Sequence, residues 1–192
     1  MEDILQEIYK EYPQLSQYPF ELIDSRGKKS PYGGVIEFYP PDELYNPIPG
    51  KPTLEVFDEN LKGESLKKAI FGDMLHYLPE VDPQFAAGRD EIIKSLTPEQ
   101  LAIDKRAYDT AVKSYGEKRP FSDWFAINRQ DAYLRGYLAP DSRDEWKDAY
   151  TPVQTDILKG LQQYLKQPLP QQEAPIANPF QMAVPQSTIP GI

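Results

Sequence analysis

Hydrophobic positions recur with two different periods along the first third of the chain. Over residues 2–11 they recur every three to four positions, which predicts an amphipathic helix that Pro13 ends. Short runs of aliphatic, β-branched and aromatic residues follow at 20–23, 35–39 and 53–57, and loops containing proline or glycine separate them. These runs predict three strands of a small sheet.

From residue 65 to 166 the apolar residues follow a helical period. The first helix is predicted over 65–78 and should be largely buried, and Pro79 should end it. Its buried stripe consists of Phe71, Met74, Leu75 and Leu78. A second helix is predicted over about 83–95, with Phe85, Ile92, Ile93 and Leu96 on its apolar side.

Two further helices begin with the same signal, Thr-Pro-x-Gln, at Thr97 and at Thr151. The threonine hydroxyl can cap the helix, proline suits the first helical position, and the glutamine can bond back to the cap. We expect the first to end at Gly116 and to bury Leu101, Tyr108, Val112 and Tyr115. The second should bury Val153, Ile157, Leu161 and Leu165.

The segment from 120 to 138, between these two helices, is rich in aromatic residues. Phe121, Trp124 and Phe125 share one helical face, so we interpret them as core rather than as a ligand platform. The predicted fold class is therefore α+β. A single domain covers 1–166, with a helix and a small sheet in 1–64 and helices in 65–166.

The composition excludes several kinds of chemistry. The chain has no cysteine, so thiolate metal sites, thiol nucleophiles and disulfides are excluded. A net charge of -9 disfavours nucleic acid and anionic lipid as partners. The acidic start Met1-Glu2-Asp3 does not resemble a signal peptide, and no apolar run approaches the roughly 20 residues that span a bilayer. We expect a soluble protein synthesised in the cytoplasm, with neither nucleic acid nor membrane as a partner.

The only histidine, His76, belongs to the segment Gly72-Asp73-Met74-Leu75-His76, which resembles the zinc-protease helix signature H-E-x-x-H in degenerate form. A zinc protease needs two imidazoles one turn apart and a glutamate that takes a proton from the bound water. Here glycine replaces the first histidine and a shorter aspartate replaces the glutamate. The segment therefore predicts a zincin-like shape with no metal ligands, no cofactor and no catalytic residues, Asp73 and His76 being remnants.

A purely structural interpretation of the same helix is simpler and is preferred. His76 would be buried or half-buried and hydrogen bonded to a neighbour, with Asp73 three positions earlier as the expected partner. Glycine inside a helix costs roughly 1 kcal/mol relative to alanine. We therefore expect another backbone or a bulky ring to pass close to Gly72.

The last 26 residues, 167–192, contain six prolines and a single charged residue, Glu173. Such a segment forms neither a helix nor a central strand and is expected to be extended. Extended segments commonly gain order on binding to a partner. The apolar residues predicted to bind that partner are Ile176, Phe180, Met182, Val184 and Ile189.

Four segments between about Pro52 and Tyr150 together resemble a family of uncharacterised proteins encoded among the structural genes of tailed bacteriophages. They are 72–78, 96–100, 119–125 and 131–138, and the resemblance covers about half of the chain. It implies a virion-associated protein and supplies no catalytic residues.

The resemblance and the residues together favour a non-enzymatic assembly component of a phage particle. It would be a head-tail connector, a neck protein or an internal protein, present in several copies and docked to other virion proteins through 167–192. One alternative is a zincin-like hydrolase or peptidase in which Asp73 and His76 still perform acid/base chemistry. Another is a host-directed regulator whose acidic surface blocks a basic site.

Overall fold

The three predicted strands form one sheet in the computed structural model, which describes residues 2–140 and 150–169. They are β1 (Glu21–Asp24), β2 (Ile36–Tyr39) and β3 (Thr53–Val56), in the order β1-β3-β2. β1 runs parallel to β3, and β2 runs antiparallel to it. In this register Leu22 and Phe38 both lie opposite Leu54, so apolar side chains from all three strands share one face.

Helices make up most of the remaining described chain. α1 spans Glu2–Glu11 and a 3-10 helix spans Pro13–Gln17. The others are α2 (Gly63–Val81), α3 (Pro83–Lys94), α4 (Pro98–Tyr115), α5 (Phe121–Asn128), α6 (Gln130–Leu138) and α7 (Pro152–Leu165). The α+β class, with a small N-terminal sheet and a predominantly helical remainder, is therefore confirmed.

The long helix α2 joins the sheet to the other helices. The ring of Tyr77 lies 5.4 Å from Phe38 and 5.7 Å from Phe20, measured between centroids. The predicted stripe of Phe71, Met74, Leu75 and Leu78 is buried as expected. Because α2 also packs against α1, α3 and α6, its orientation determines where the candidate site lies.

The prediction that Pro79 ends this helix is wrong, because α2 continues to Val81. Proline removes one backbone donor, but Pro79 lies in the last turn and is buried, so packing holds the turn in helical form. The amide of Asp82 then donates to the carbonyl of Leu78 at 2.8 Å. The carboxylate of Asp82 caps α3 by accepting from the amide of Gln84 at 2.8 Å.

Both Thr-Pro-x-Gln capping boxes are confirmed. The Gln100 amide donates to the Thr97 hydroxyl at 3.2 Å, and the Gln100 side chain accepts from the Thr97 amide at 2.9 Å. The same pair of bonds joins Thr151 and Gln154, at 3.2 Å and 3.0 Å. Gly116 ends α4 with a positive φ of 69°, a backbone conformation that favours glycine.

The predicted apolar faces of α4 and α7 are partly wrong. On α4 the buried residues are polar, Gln100 and Asp104, whereas Val112 is 40% exposed and Tyr115 is 85% exposed. On α7 the buried set is Gln154, Leu158, Leu161 and Leu165, and Val153 is exposed. The two capping glutamines are buried and hydrogen bond to each other, so the side of each helix that carries its glutamine faces the interior.

The aromatic segment of α5 forms part of the core, as predicted. Trp124 and Phe125 are buried, and Phe121 packs against both, with ring centroids at 6.2 Å and 5.7 Å. Tyr108 of α4 completes the cluster at 5.5 Å from Trp124. These rings therefore contribute buried area and hold α4 against α5.

Candidate functional site

Asp73, His76 and Arg135 meet where α2 packs against α6. Arg135 Nη1 lies 3.3 Å from His76 Nε2, and His76 Nε2 lies 3.9 Å from Asp73 Oδ1. The His76 side chain is 36% exposed and the Asp73 side chain 22% exposed, so the carboxylate is the more covered of the two. The sequence pattern identified Asp73 and His76 as neighbours but not Arg135, which comes from a helix more than 50 positions away.

The predicted hydrogen bond between His76 and Asp73 is not formed at a separation of 3.9 Å, which exceeds hydrogen-bonding distance. The i, i+3 spacing brings the two side chains to the same side of α2, but Arg135 Nη1 approaches His76 Nε2 more closely than Asp73 does. A guanidinium can only donate, so a hydrogen bond in this contact requires His76 Nε2 to accept. Of these two neighbours, Arg135 and not Asp73 therefore lies within hydrogen-bonding distance of the imidazole.

Gly72 allows Arg135 to pass directly over α2. A Cβ built on Gly72 would lie 3.1 Å from Arg135 Cδ and 3.3 Å from Arg135 Cγ. The expected close neighbour of this glycine is present, but it is the aliphatic part of an arginine rather than a backbone or a ring. A Cβ at position 72 would require the Arg135 side chain to shift by a few tenths of an ångström, so glycine here lets α6 pack closely against α2.

Burial raises the pKa of the Asp73 carboxyl to about 6, while the nearby His76 and Arg135 favour its ionised form. Loss of water around the carboxylate is thus the larger effect. A carboxyl with a pKa near neutrality, beside an imidazole, can exchange a proton with a bound molecule. The raised pKa of Asp73 is thus the property of this cluster that bears on acid/base chemistry.

The same cluster does not fit a zinc ion. Positions 72 and 76 are one helical turn apart and face the same side, which is where two imidazoles of a zinc-protease helix would hold the metal. Arg135 covers that side with a positive charge. Within 2–140 and 150–169, no group of three or more histidine, cysteine or acidic side chains is arranged to hold a metal ion.

A second polar centre, which the sequence pattern did not reveal, lies between α4 and α6. Asp104 of α4 is fully buried and accepts from Arg129 Nε at 2.6 Å and from the Tyr133 hydroxyl at 3.0 Å. It ties α4 to the α5–α6 region. The sequence gives one signal of this centre, because Asp104 lies on the helical face that carries Leu101 and Tyr108. It does not identify the partners, Arg129 and Tyr133, which lie 25 and 29 residues further along the chain.

The first residues of the predicted tail contact the domain. The buried Gln14 side chain donates from Nε2 to the carbonyls of Gln167 and Pro168, at 3.1 Å and 3.2 Å. Lys166 Nζ lies 5.6 Å from the centre of the Tyr12 ring, a cation–π contact. The predicted partner-binding residues lie outside the described residues: Ile176, Phe180, Met182, Val184 and Ile189.

Comparison of the chain with protein-family models, with curated protein sequences and with solved structures gives no match in any of the three. The phage resemblance consequently stays a prediction from the four segments described above. In the part of the chain that the structure describes, each helix is too short or too polar to cross a bilayer.

Proposed function

We propose that this chain is a non-enzymatic assembly component of a tailed-bacteriophage virion and that it docks to another virion protein through residues 167–192. The proposal combines the resemblance of the segments 72–78, 96–100, 119–125 and 131–138 with the state of the zincin-like helix. It places the protein in the particle as a connector, neck or internal protein, in several copies.

The observation that carries the non-enzymatic part is the position of Arg135. Its aliphatic part fills the space beside Gly72, and its guanidinium lies against His76. A guanidinium against His76 repels Zn²⁺, and the glycine at position 72 supplies no second side-chain ligand beside the single imidazole. The helix is then a packing element of the scaffold, with α6 pressed against it.

The tail supports the binding part of the proposal. Gln14 of the 3-10 helix binds the carbonyls of Gln167 and Pro168, and Lys166, just before the tail, lies over the Tyr12 ring, so the start of the tail is held at this place on the domain. A fixed exit reduces the entropy that a docking segment loses when it binds. Apolar residues spaced along an extended segment can then fill successive grooves of a partner.

The experiment is quantitative mass spectrometry of gradient-purified particles of the phage that encodes the chain. We expect the wild-type polypeptide at a constant, multiple copy number. A variant with serine at Ile176, Phe180, Met182, Val184 and Ile189 should fold normally but be lost from particles. The matched control carries alanine at polar tail positions, Gln171, Gln172, Gln181 and Gln186, and should be incorporated normally.

Particles that lack the wild-type polypeptide would contradict the assembly proposal. Normal incorporation of the serine variant would leave assembly standing and contradict docking through the tail. Synthesis early in infection together with absence from particles would instead favour the host-directed regulator.

A metal-independent hydrolase is the second candidate, and the raised pKa of Asp73, at about 6, is the observation that favours it. In that case Asp73 and His76 would exchange protons with a substrate bound at the α2–α6 cluster. The test is peptidase and esterase activity of the purified chain and of His76→Ala. Activity that this substitution abolishes without loss of folding would establish the hydrolase, and unchanged background activity would exclude it.

A further inference from the structure

The connection between β2 and β3 presents two large apolar side chains to solvent. Leu44 is 84% exposed and Tyr45 is 69% exposed, and they are adjacent in sequence. Single exposed apolar residues are common on protein surfaces. Here two large apolar side chains are exposed side by side, and the loop that carries them is held in one conformation by hydrogen bonds. The loop therefore keeps both side chains in solvent, which calls for an explanation.

Asn46, the next residue, is buried and acts as the clamp of the loop. Its Nδ2 donates to the carbonyl of Pro40 at 2.7 Å and to that of Lys51 at 2.8 Å. Its Oδ1 accepts from the amide of Ile48 at 2.8 Å. One side chain therefore ties the start, the middle and the end of the loop together, immediately beside Tyr45.

Proline and backbone hydrogen bonds fix the rest of the loop. Prolines occupy five positions between the strands, 40, 41, 47, 49 and 52. The amide of Glu43 donates to Pro40 at 3.1 Å, and the amide of Gly50 donates to Pro41 at 2.9 Å. Proline lowers the conformational entropy of the unfolded chain, and a preformed loop loses little further entropy on binding.

We propose that the tip of this loop, Leu44 and Tyr45, is a docking surface for a partner protein whose apolar cleft is rimmed by lysine or arginine. Leucine and tyrosine side chains fill such a cleft with large contact area, and the tyrosine hydroxyl remains available for a polar rim. The rim must be basic because Asp42 and Glu43, both exposed, directly precede the pair. The net charge of -9 attracts the same kind of partner at long range.

The charge also distinguishes this partner from other occupants of the tip. A second copy of the chain has the same negative charge and is repelled, and nucleic acid and anionic membranes are repelled for the same reason. A neutral apolar cleft would gain nothing from Asp42 and Glu43. The proposal does not depend on the tail or on the phage assignment, because the loop belongs to the folded sheet.

The probe is a yeast-displayed library of small folded domains with randomised clefts, selected against the full-length protein. Binders are depleted against a variant carrying Leu44→Ser and Tyr45→Ser, which removes the apolar tip without touching the core. We expect enriched clefts with apolar floors and lysine or arginine at the rim. Their affinity should fall about tenfold or more in the double variant.

Three further variants sharpen the test. Asp42→Asn with Glu43→Gln should weaken binding several-fold at low salt and remove most of its salt dependence. Asn46→Ala should weaken binding although Leu44 and Tyr45 remain, because the loop must then be ordered on binding. The matched control, Val112→Ser with Tyr115→Ser, removes an exposed apolar pair from α4 and should leave affinity unchanged.

The proposal is overturned if no binder survives depletion against the double variant, or if the enriched clefts are acidic or uniformly apolar. Equal affinity for wild type and Asn46→Ala would contradict the claim that the loop is preformed. Substitution of the tail residues tests the separate assembly proposal and should not change binding at the loop, so either proposal can fail alone.

Discussion

The side-chain amides of Gln100 and Gln154 hydrogen bond to each other in both directions. Gln100 Nε2 donates to Gln154 Oε1 at 3.0 Å, and Gln154 Nε2 donates to Gln100 Oε1 at 2.9 Å. Each glutamine also closes the capping box of its own helix, and Gln154 donates to the carbonyl of Ser95 at 3.2 Å. The beginnings of α4 and α7 are thereby joined through one buried pair.

Truncating either glutamine should destabilise the protein, and truncating both should cost less than the sum. We expect Gln100→Ala and Gln154→Ala each to lower the free energy of unfolding by about 1–3 kcal/mol, because a buried amide loses its partner. Urea unfolding of both single variants and of the double variant measures the coupling. Gln163→Ala, exposed on α7, is the control. Strict additivity would show that the amide pair contributes nothing.

The buried carboxylate of Asp104 should be the most sensitive polar position in the described helices. Asp104→Ala leaves the partly buried Arg129 without this carboxylate and should cost about 3–5 kcal/mol, whereas Tyr133→Phe should cost about 1 kcal/mol. Asp109→Ala, exposed on the same helix, should change stability by less than about 0.5 kcal/mol. Equal losses at Asp104 and Asp109 in chemical unfolding would contradict the role of the buried contacts.

The close approach of Arg135 to Gly72 should appear as coupling between the two positions. Gly72→Ala gains about 1 kcal/mol of helix propensity but places a Cβ about 3.1 Å from Arg135 Cδ. We expect the gain only when Arg135→Ala is also present. Gly160→Ala on α7 has no atom within 4 Å of the new Cβ and should stabilise both backgrounds equally. Equal effects of Gly72→Ala in the two backgrounds would show that Arg135 does not require glycine.

The raised pKa of Asp73 predicts a specific pH dependence. Because the folded-state value of about 6 exceeds the ordinary 3.8, the folded protein binds more protons than the unfolded chain between these values. The stability contribution of Asp73 is thus fully present below pH 4 and is lost as pH rises through 6. Asp73→Asn should raise the free energy of unfolding relative to wild type by ~1–3 kcal/mol at pH 7 and much less at pH 4.

Urea unfolding at the two pH values measures this difference, with Asp109→Asn as the exposed control. The Asp73→Asn difference should be the larger one at pH 7. If Asp73→Asn changes the free energy of unfolding equally at both pH values, or stabilises the protein more at pH 4 than at pH 7, then ionised Asp73 is not destabilising in the folded protein.

Local signals in the sequence predicted the elements of this fold well. The caps at Thr97 and Thr151, the αL end at Gly116 and the three strands all depend on residues within a few positions of each other, and all form. The prediction that α2 ends at Pro79 failed because packing around the last helical turn can outweigh the loss of one backbone donor. Local chemistry thus defines an element boundary where a cap or an αL glycine is present, and less well where only a proline marks the end.

The details of the site depend on tertiary neighbours and could not be predicted in the same way. Nothing near Gly72 in sequence indicates that Arg135 passes over it, and nothing near Asp104 identifies Arg129 as its partner. The buried face of α4 was predicted wrongly for a related reason. The face that is buried carries Gln100, whose partner Gln154 lies on another helix. The sequence pattern could name Asp73 and His76 as neighbours, but the burial that raises the pKa of Asp73 and the contact of His76 with Arg135 both depend on the packing of α6 against α2.

The zinc content of the purified full-length chain distinguishes a scaffold from a metalloenzyme. The protein is incubated with excess Zn²⁺, desalted and analysed by inductively coupled plasma mass spectrometry, beside His76→Ala as a control. With Arg135 held against His76, we expect far less than one zinc per molecule and no difference between the two proteins. One tightly bound zinc per wild-type molecule, lost in His76→Ala, would contradict a metal-free scaffold.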